Sequence, residues 1–291
     1  MDKIDVKALA KINIGLDVTG IREDGYHEVK MIMQTVNLFD KITISKVAEP
    51  GVSMTTNLKF LTVGDDNLCI KAAKLLIDEF DIKQGIQISL EKHIPVAAGM
   101  AGGSTDAAAI LFGMNKMFKL GLSRKDMMER GVKLGADVPY CVMRGTALAE
   151  GIGEVLSPLP PMVKCPVLIA KPGIAVSTKQ VYEALDSCFD KVVHPDIDGI
   201  IEDIKNQDLT AICSKMGNVL EDVTIPMHPI IADIKKCMMD NGAVGAMMSG
   251  SGPTVFGFFN DNKTARAAKE ALTKSGMVKQ LYLTTLFNNK N

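Results

Sequence analysis

A chain of 291 residues is too long for one small core and suits one large domain or two of ordinary size. With 47% hydrophobic and 23% charged residues it has the apolar material of a globular protein, which excludes a disordered chain. The 33 basic residues against 34 acidic ones leave a net charge of −1, too little basic excess to hold nucleic acid over a wide face. Six cysteines (Cys69, Cys141, Cys165, Cys188, Cys213, Cys237) form no CxxC pair, and no His completes a zinc site, so they read as buried reduced thiols. The opening MDKIDVKALAKINIGL lacks the apolar core of a signal peptide, and no apolar run approaches the roughly 20 residues that span a bilayer. The expectation is a cytoplasmic protein with no membrane partner, and nothing in the sequence sets an oligomeric state.

In chain order, residues 4 to 17 alternate apolar and polar side chains and predict a half-buried strand. Parity puts Lys7, Leu9, Lys11 and Asn13 on one face and Ala8, Ala10, Ile12 and Ile14 on the other, and by themselves Lys11 and Asn13 read more readily as solvated than as functional. Gly20 and Asp24-Gly25 mark turns, and HEVKMIMQTVNLFDKITI (27–44) reads as one or two further strands. The spacing of Leu68, Ala72, Leu75 and Leu76 predicts a helix over 68–80, and GIQISLEKHI (85–94) a strand that runs into a glycine loop. A helix is predicted over 105–120 with Gly121 as its stop, and Ser123 with Asp126 has the form of a capping box that starts the next. GVKLGADVPY (131–140) closes that helix and turns, and RGTALAEGIGEVLSPLP (144–160) predicts two short strands around Gly151 and Gly153. The break at Pro158, Pro160 and Pro161 is the expected boundary between domains 1–160 and 161–291.

The second half opens with a strand over 166–172 and a helix from about Ser177, followed by helical segments at 196–216 and 227–240. Then come the strand AVGAMMS, a second glycine loop GSGPT (250–254), the strand VFGFF, a helix over 262–275 and a last strand, VKQLYLTTLF. That order predicts a small α+β sandwich.

Chemistry concentrates in IPVAAGMAGGSTDAAAI (94–110). Gly99, Gly102 and Gly103 free the backbone and remove Cβ atoms, so successive N–H groups can converge on an anion. A helix beginning near Ser104 adds unpaired N–H groups and the positive end of its dipole. The result is a phosphate seat, although a tight turn with close helix packing would use the same glycines. It is not a P-loop, since GxxxxGK[ST] is absent, nor a dinucleotide fingerprint, since the glycine spacing differs. SGSGPT (249–254) is either a Gly-Pro turn or a second wall of that seat, and Asp137 in GADVP is by itself an Asp at a turn before proline.

Six stretches occur in one order: ALAKINIGLDVTGIREDGYHEV (8–29), PVAAGMAGGSTDAAA (95–109), GADVPY (135–140), STKQVYEAL (177–185), NVLE (218–221) and MMSGSGPTVFG (247–257). Together they resemble the GHMP kinase superfamily over nearly the whole chain. DGYHEV and GADVP point to a member acting on a cytidine-bearing alcohol, since the kinases of mevalonate, homoserine or galactose differ there.

The resemblance implies an α+β fold of two domains, an N-terminal one like ribosomal S5 domain 2 and a ferredoxin-like C-terminal α/β sandwich, with the active site in the cleft between them. It implies ATP and Mg²⁺, and a small cytidine diphosphate-linked polyol phosphorylated at its 2-hydroxyl. Lys11 and Asp137 would be the catalytic pair: Asp137 accepts the hydroxyl proton, while Lys11 orients the hydroxyl and holds Asp137 ionised. Pro95, Val96, Ala97, Ala98, Gly99, Met100, Ala101, Gly102, Gly103, Ser104 and Thr105 would hold the ATP phosphates, with Ser104 a candidate to place Mg²⁺. Asn67 and Lys92 are assigned near adenine, Tyr26, His27 and Tyr182 to the cytosine, and Asn13 and Thr178 to the sugar or phosphate portion. Where the family often has Gly-Leu-Gly-Gly-Gly-Ser-Ser, this chain has Ala101 as its third residue, and the Cβ predicts an ordinary right-handed or extended backbone there. The alternatives are another GHMP kinase with a different alcohol, or a catalytically silent nucleotide binder, against which the presence of both Lys11 and Asp137 speaks.

Overall fold

The computed structural model describes residues 1–289. These form two compact units, neither continuous in sequence: 1–10, 38–96 and 101–143 make the first, and 11–37, 97–100 and the described residues from 144 onward the second. The expected boundary near residue 160 therefore falls inside the second unit. The two long strands that open the chain, β1 (Lys3–Ile21) and β2 (His27–Val47), each contribute one end to each unit.

The first unit continues with β3 (Val52–Thr56), α1 (Leu68–Glu79), β4 (Gly85–Glu91), α2 (Gly102–Phe118), α3 (Arg124–Val132) and α4 (Val138–Met143). Strand β4 pairs antiparallel with residues 41–47 of β2 and parallel with β3. Alternation sends Ile42, Ile44, Ile86 and Ile88 to a fully buried face. Helix α2 packs on that apolar layer at close range, for a Cβ on Gly113 would meet Ile44 Cδ1 at 2.5 Å. The small side chains of Ala107, Ala108 and Ala109 are buried in the same helix. The capping box of α3 forms as expected, Ser123 N donating to Asp126 Oδ2 at 2.7 Å and Asp126 N to Ser123 Oγ at 3.2 Å. Strand β3 and helix α4 were not expected. Pro139 sits in the first turn of α4, where its missing N–H has no intrahelical partner to lose.

In the second unit β5 (Thr146–Glu150) pairs antiparallel with residues 31–34 of β2, and β6 (Val155–Pro158) with β5. There follow β7 (Pro166–Pro172), α5 (Thr178–Asp186), α6 (Ile197–Lys205), α7 (Leu209–Lys215), α8 (Glu221–Met227), α9 (Ile230–Asp240), β8 (Gly245–Met248), β9 (Val255–Phe258), α10 (Asn262–Ser275) and β10 (Val278–Thr285). The last four strands form an antiparallel sheet in the order β10-β7-β9-β8, the split βαβ order of a ferredoxin-like sandwich. Its centre holds Leu168, Ile169, Phe256 and Phe258, all fully buried.

Strand β1 departs from the sequence pattern. Lys11 and Asn13 read by themselves as solvated, yet every residue from Ala8 to Val18 is buried, Lys11 at 6% exposure and Asn13 at 0%. All six cysteines are free thiols, and burial pushes Cys165 and Cys213 up to about 12, which keeps them protonated. Among the described residues no helix is long and apolar enough to cross a membrane.

Candidate active site

The glycine loop bends through alternating left-handed residues, with φ of +49° at Ala97, +70° at Gly99 and +53° at Ala101. Ala101 thus occupies the left-handed region, against the expectation drawn from its Cβ. The demand for a sharp turn into α2 outweighs a steric cost of about 1–2 kcal/mol. Ala101 is the N-cap of α2 and supplies no side-chain cap, and the first turn carries no acidic residue. The first intrahelical bond is Thr105 N to the Ala101 carbonyl, at 2.9 Å. The N–H groups of Gly102, Gly103 and Ser104 therefore precede it at the positive end of the helix dipole, with Gly103 exposed. Thr105 itself turns inward, its Oγ1 donating to the Leu9 carbonyl at 2.7 Å.

Beneath this helix start lies an ion network on side chains that are almost wholly buried. Lys92 Nζ donates to Asp106 Oδ2 at 2.8 Å and also to Asp40 Oδ2. Asp40 Oδ1 in turn accepts the backbone N–H of Ile94 at 2.8 Å and that of His93, and so holds the chain just before the loop. Burial works against the Lys92 ammonium, but the carboxylates of Asp106 and Asp40 outweigh it and hold its pKa above the ordinary lysine range. Burial also pushes the Asp106 carboxyl well above the usual carboxylate range, against the attraction of Lys92. Asp106 Oδ1 has no hydrogen-bond partner among the described residues.

Lys92, assigned to the adenine, therefore has its ammonium engaged by two carboxylates, 3% of its side chain exposed, and its Nζ 3.1 Å from where a Cβ on Gly102 would lie. Asn67 likewise spends its side chain locally. Its Oδ1 caps α1 by accepting Cys69 N at 2.9 Å, and its Nδ2 donates to the Thr62 carbonyl at 2.8 Å. Asp137 sits partly buried immediately before α4, where its carbonyl accepts Cys141 N.

The second unit carries the other assigned residues. Lys11 Nζ donates to Asn13 Oδ1 at 2.8 Å, Asn13 Nδ2 lies 3.2 Å from Met31 Sδ, and the Lys11 N–H reaches the Met100 carbonyl at 3.3 Å. The second glycine loop packs directly on the first: Ser249 Oγ donates to the Gly99 carbonyl at 2.9 Å, and a Cβ on Gly99 would sit 2.0 Å from the Ser249 carbonyl oxygen. Only glycine fits that contact. Asn218 anchors the strap by donating to the Met248 and Gly250 carbonyls at 2.9 and 2.8 Å. Ser251 Oγ and Thr178 Oγ1 are 2.8 Å apart, which ties the strap to the start of α5.

Tyr26, His27, Thr178 and Tyr182 line one cavity of about 610 Å³, together with Gly25 and Asp186. The His27 and Tyr182 rings stand 4.7 Å apart at 48°, while Tyr26 is 61% exposed at the mouth. The structure thus brings these four sequence-assigned residues together in the second unit. It also adds Asp40, Asp106, Asn218 and Asp186, to which sequence reasoning gave no role, and individual contacts for Ser249 and Ser251, which it named only as part of the second glycine loop. Asp106 and Asn218 lie inside motifs that carry the resemblance, whereas Asp40 and Asp186 stand in no motif. No group of three or more His, Cys, Asp or Glu side chains able to hold a metal occurs among the described residues.

Residues 67–145 match the family model described as the GHMP kinases N terminal domain, and residues 200–278 match the GHMP kinases C terminal model. A 4-diphosphocytidyl-2-C-methyl-D-erythritol kinase of Lachnospira eligens is 55% identical over 99% of this chain and 99% of its own length. The protein of that name from Lachnoclostridium phytofermentans is 54% identical over the full length of both. Among solved structures, a 4-(cytidine 5'-diphospho)-2C-methyl-D-erythritol kinase superposes with a TM-score of 0.83 at 30% identity, covering 98% of this chain and 100% of its own.

Proposed function

The chain belongs to the GHMP kinases, in the branch of the 4-diphosphocytidyl-2-C-methyl-D-erythritol kinases, and from that premise we propose that it transfers the γ-phosphoryl group of ATP to the 2-hydroxyl of 4-diphosphocytidyl-2-C-methyl-D-erythritol. It is an ATP-dependent kinase of a small-molecule alcohol. The step belongs to the non-mevalonate route to isoprenoids and draws on cytoplasmic ATP. The observation that supports this acceptor best is the 610 Å³ cavity, which is wide enough for a pyrimidine nucleoside and carries two tyrosines and a histidine. Tyr26 and Tyr182 offer ring faces for stacking the base, and His27 offers a polar edge. Thr178 and Asn13 are assigned to the sugar or phosphate portion of the acceptor.

On the phosphate side, the open amides of Gly102, Gly103 and Ser104 receive the triphosphate, with Pro95 to Met100 lining the approach. Mg²⁺ bound to nucleotide phosphates needs few protein ligands, and the Ser104 hydroxyl at this helix start fits such a role, supplying one oxygen while phosphates and water provide the others. Asp137 accepts the proton of the attacking hydroxyl. Lys11, oriented by Asn13, steadies that oxygen and the charge that develops on it. Transfer otherwise depends on positioning and charge neutralisation. Lys92 and Asn67, assigned near adenine, hold the loop and α1 in shape through the bonds described above.

The test is ADP release from ATP with a panel of purified alcohols. Turnover of the cytidylyl substrate is expected. Turnover of homoserine or mevalonate in its place would assign another kinase, and ATP binding without transfer to any alcohol would make the chain a nucleotide sensor.

A further inference from the structure

One polar contact in the nucleoside cavity has no part in the reading above. His27 Nε2 lies 2.6 Å from Asp186 Oδ1, across 159 residues of sequence. An ionised carboxylate can only accept, so Nε2 carries the hydrogen, and in the neutral ring Nδ1 is then a bare acceptor. Glu183, the other carboxylate on this wall, faces Lys179 at 3.7 Å. The Tyr182 ring at 4.7 Å and the low exposure of the His27 side chain, 10%, oppose a ring flip, which would break the contact with Asp186.

Resting on the reading that this cavity takes a pyrimidine nucleotide, we propose that Asp186 makes it select cytosine over uracil, by holding His27 as an acceptor toward the exocyclic 4-amino group of the base. At that position cytosine presents an N–H₂ donor and uracil a carbonyl acceptor. A bare Nδ1 bonds the first and sets lone pair against lone pair with the second. A site built to bond a substrate N–H rejects the analogue lacking it strongly, because its own polar atom is left unpaired. In this role Asp186 is a positioning residue that works through His27.

The experiment compares the unmodified protein with Asp186→Asn and Asp186→Glu, using cytidine- and uridine-diphosphate forms of the methylerythritol acceptor, alongside ¹⁵N spectra of the His27 ring. The unmodified protein is expected to prefer the cytidine form by about 100-fold or more in kcat/KM, with His27 protonated on Nε2. In Asp186→Asn the amide can donate to Nε2, the ring gains the opposite tautomer, and the preference falls by about 10-fold or more through KM for the cytidine form, with KM for ATP unchanged. Asp186→Glu keeps the acceptor and restores the preference. An unchanged preference in Asp186→Asn, or His27 protonated on Nδ1 in the unmodified protein, overturns the proposal even if the kinase activity is confirmed. Calorimetry with CDP and UDP separates the two readings: a cytidine preference that Asp186→Asn abolishes upholds the proposal even in the absence of phosphoryl transfer.

Discussion

Helices α2 and α3 belong to the same compact unit and begin in opposite ways. Helix α3 closes its first turn with Ser123 and Asp126, each satisfying a backbone N–H of the other. Helix α2 starts from a left-handed Ala101 with no side-chain cap and no acid in its first turn. A missing cap costs about 1 kcal/mol, and a non-glycine residue in the left-handed region about 1–2 more. Stability is given up at the helix start whose amides are proposed to hold an anion. Helices α8 and α9 also start without a side-chain cap but carry acids in their first turns, so what sets the proposed phosphate seat apart is a left-handed N-cap residue with neither a side-chain cap nor an acid beside it; the glycines permit the bend that leads to it. The buried Asp40–Lys92–Asp106 network holds the open end in shape.

Lys92→Met leaves two buried carboxylates without their cation and should lower stability by about 3–5 kcal/mol in urea unfolding, where an unchanged midpoint would make the network dispensable. Because the folded pKa of Lys92 is raised, its contribution is complete below the ordinary lysine range and disappears as pH climbs through the folded value. The gap between the two proteins should therefore narrow at strongly alkaline pH, and also on acidification as the buried Asp106 carboxyl, whose pKa is raised, takes up a proton.

Asp137→Asn should lower turnover by roughly 10²-fold or more with the ATP Michaelis constant nearly unchanged, whereas near-normal turnover would remove Asp137 as the base. Tyr182→Ala should weaken the cytidylyl substrate by about 1–3 kcal/mol and leave ATP unaffected, and an unaltered Michaelis constant would take Tyr182 out of the pocket. At the smallest scale, Ser123→Ala should cost α3 about 1 kcal/mol. Ala101→Gly should gain roughly 0.5–1 kcal/mol, since the relief of left-handed strain exceeds the entropy that glycine loses on folding. Equal effects of these last two on ATP affinity would erase the distinction between the two helix starts.

Most of the fold was legible because its periodic segments are long. The capping box at Ser123, the helix–strand alternation after Pro166 and the glycine loop at a strand-to-helix junction were all readable from local spacing. Where local spacing is silent, the reading failed. Alternation along β1 told of one apolar face, and the burial of Lys11 and Asn13 depends on both faces being covered. Helices α4 and α8 were not foreseen: the stretch around Pro139 was read as a turn, although α4 takes that proline in its first turn, and α8 is a short helix that carries Pro226 next to its last residue. Ala101 was misjudged because loop closure, which sequence does not display, outweighs one residue's preference. Asp40, one of the two partners of Lys92, and Asp186, the partner of His27, lie 52 and 159 residues away from them, at distances to which no motif spacing extends.

The claim on which the rest depends is that the uncapped start of α2 holds the triphosphate. Backbone amide ¹H–¹⁵N shifts, followed while a non-hydrolysable ATP analogue with Mg²⁺ is added, address it directly. The account predicts that the largest displacements fall on Gly99 to Thr105, led by Gly102, Gly103 and Ser104, with the start of α3 unmoved. Saturable binding that leaves those amides in place and shifts residues elsewhere would contradict it.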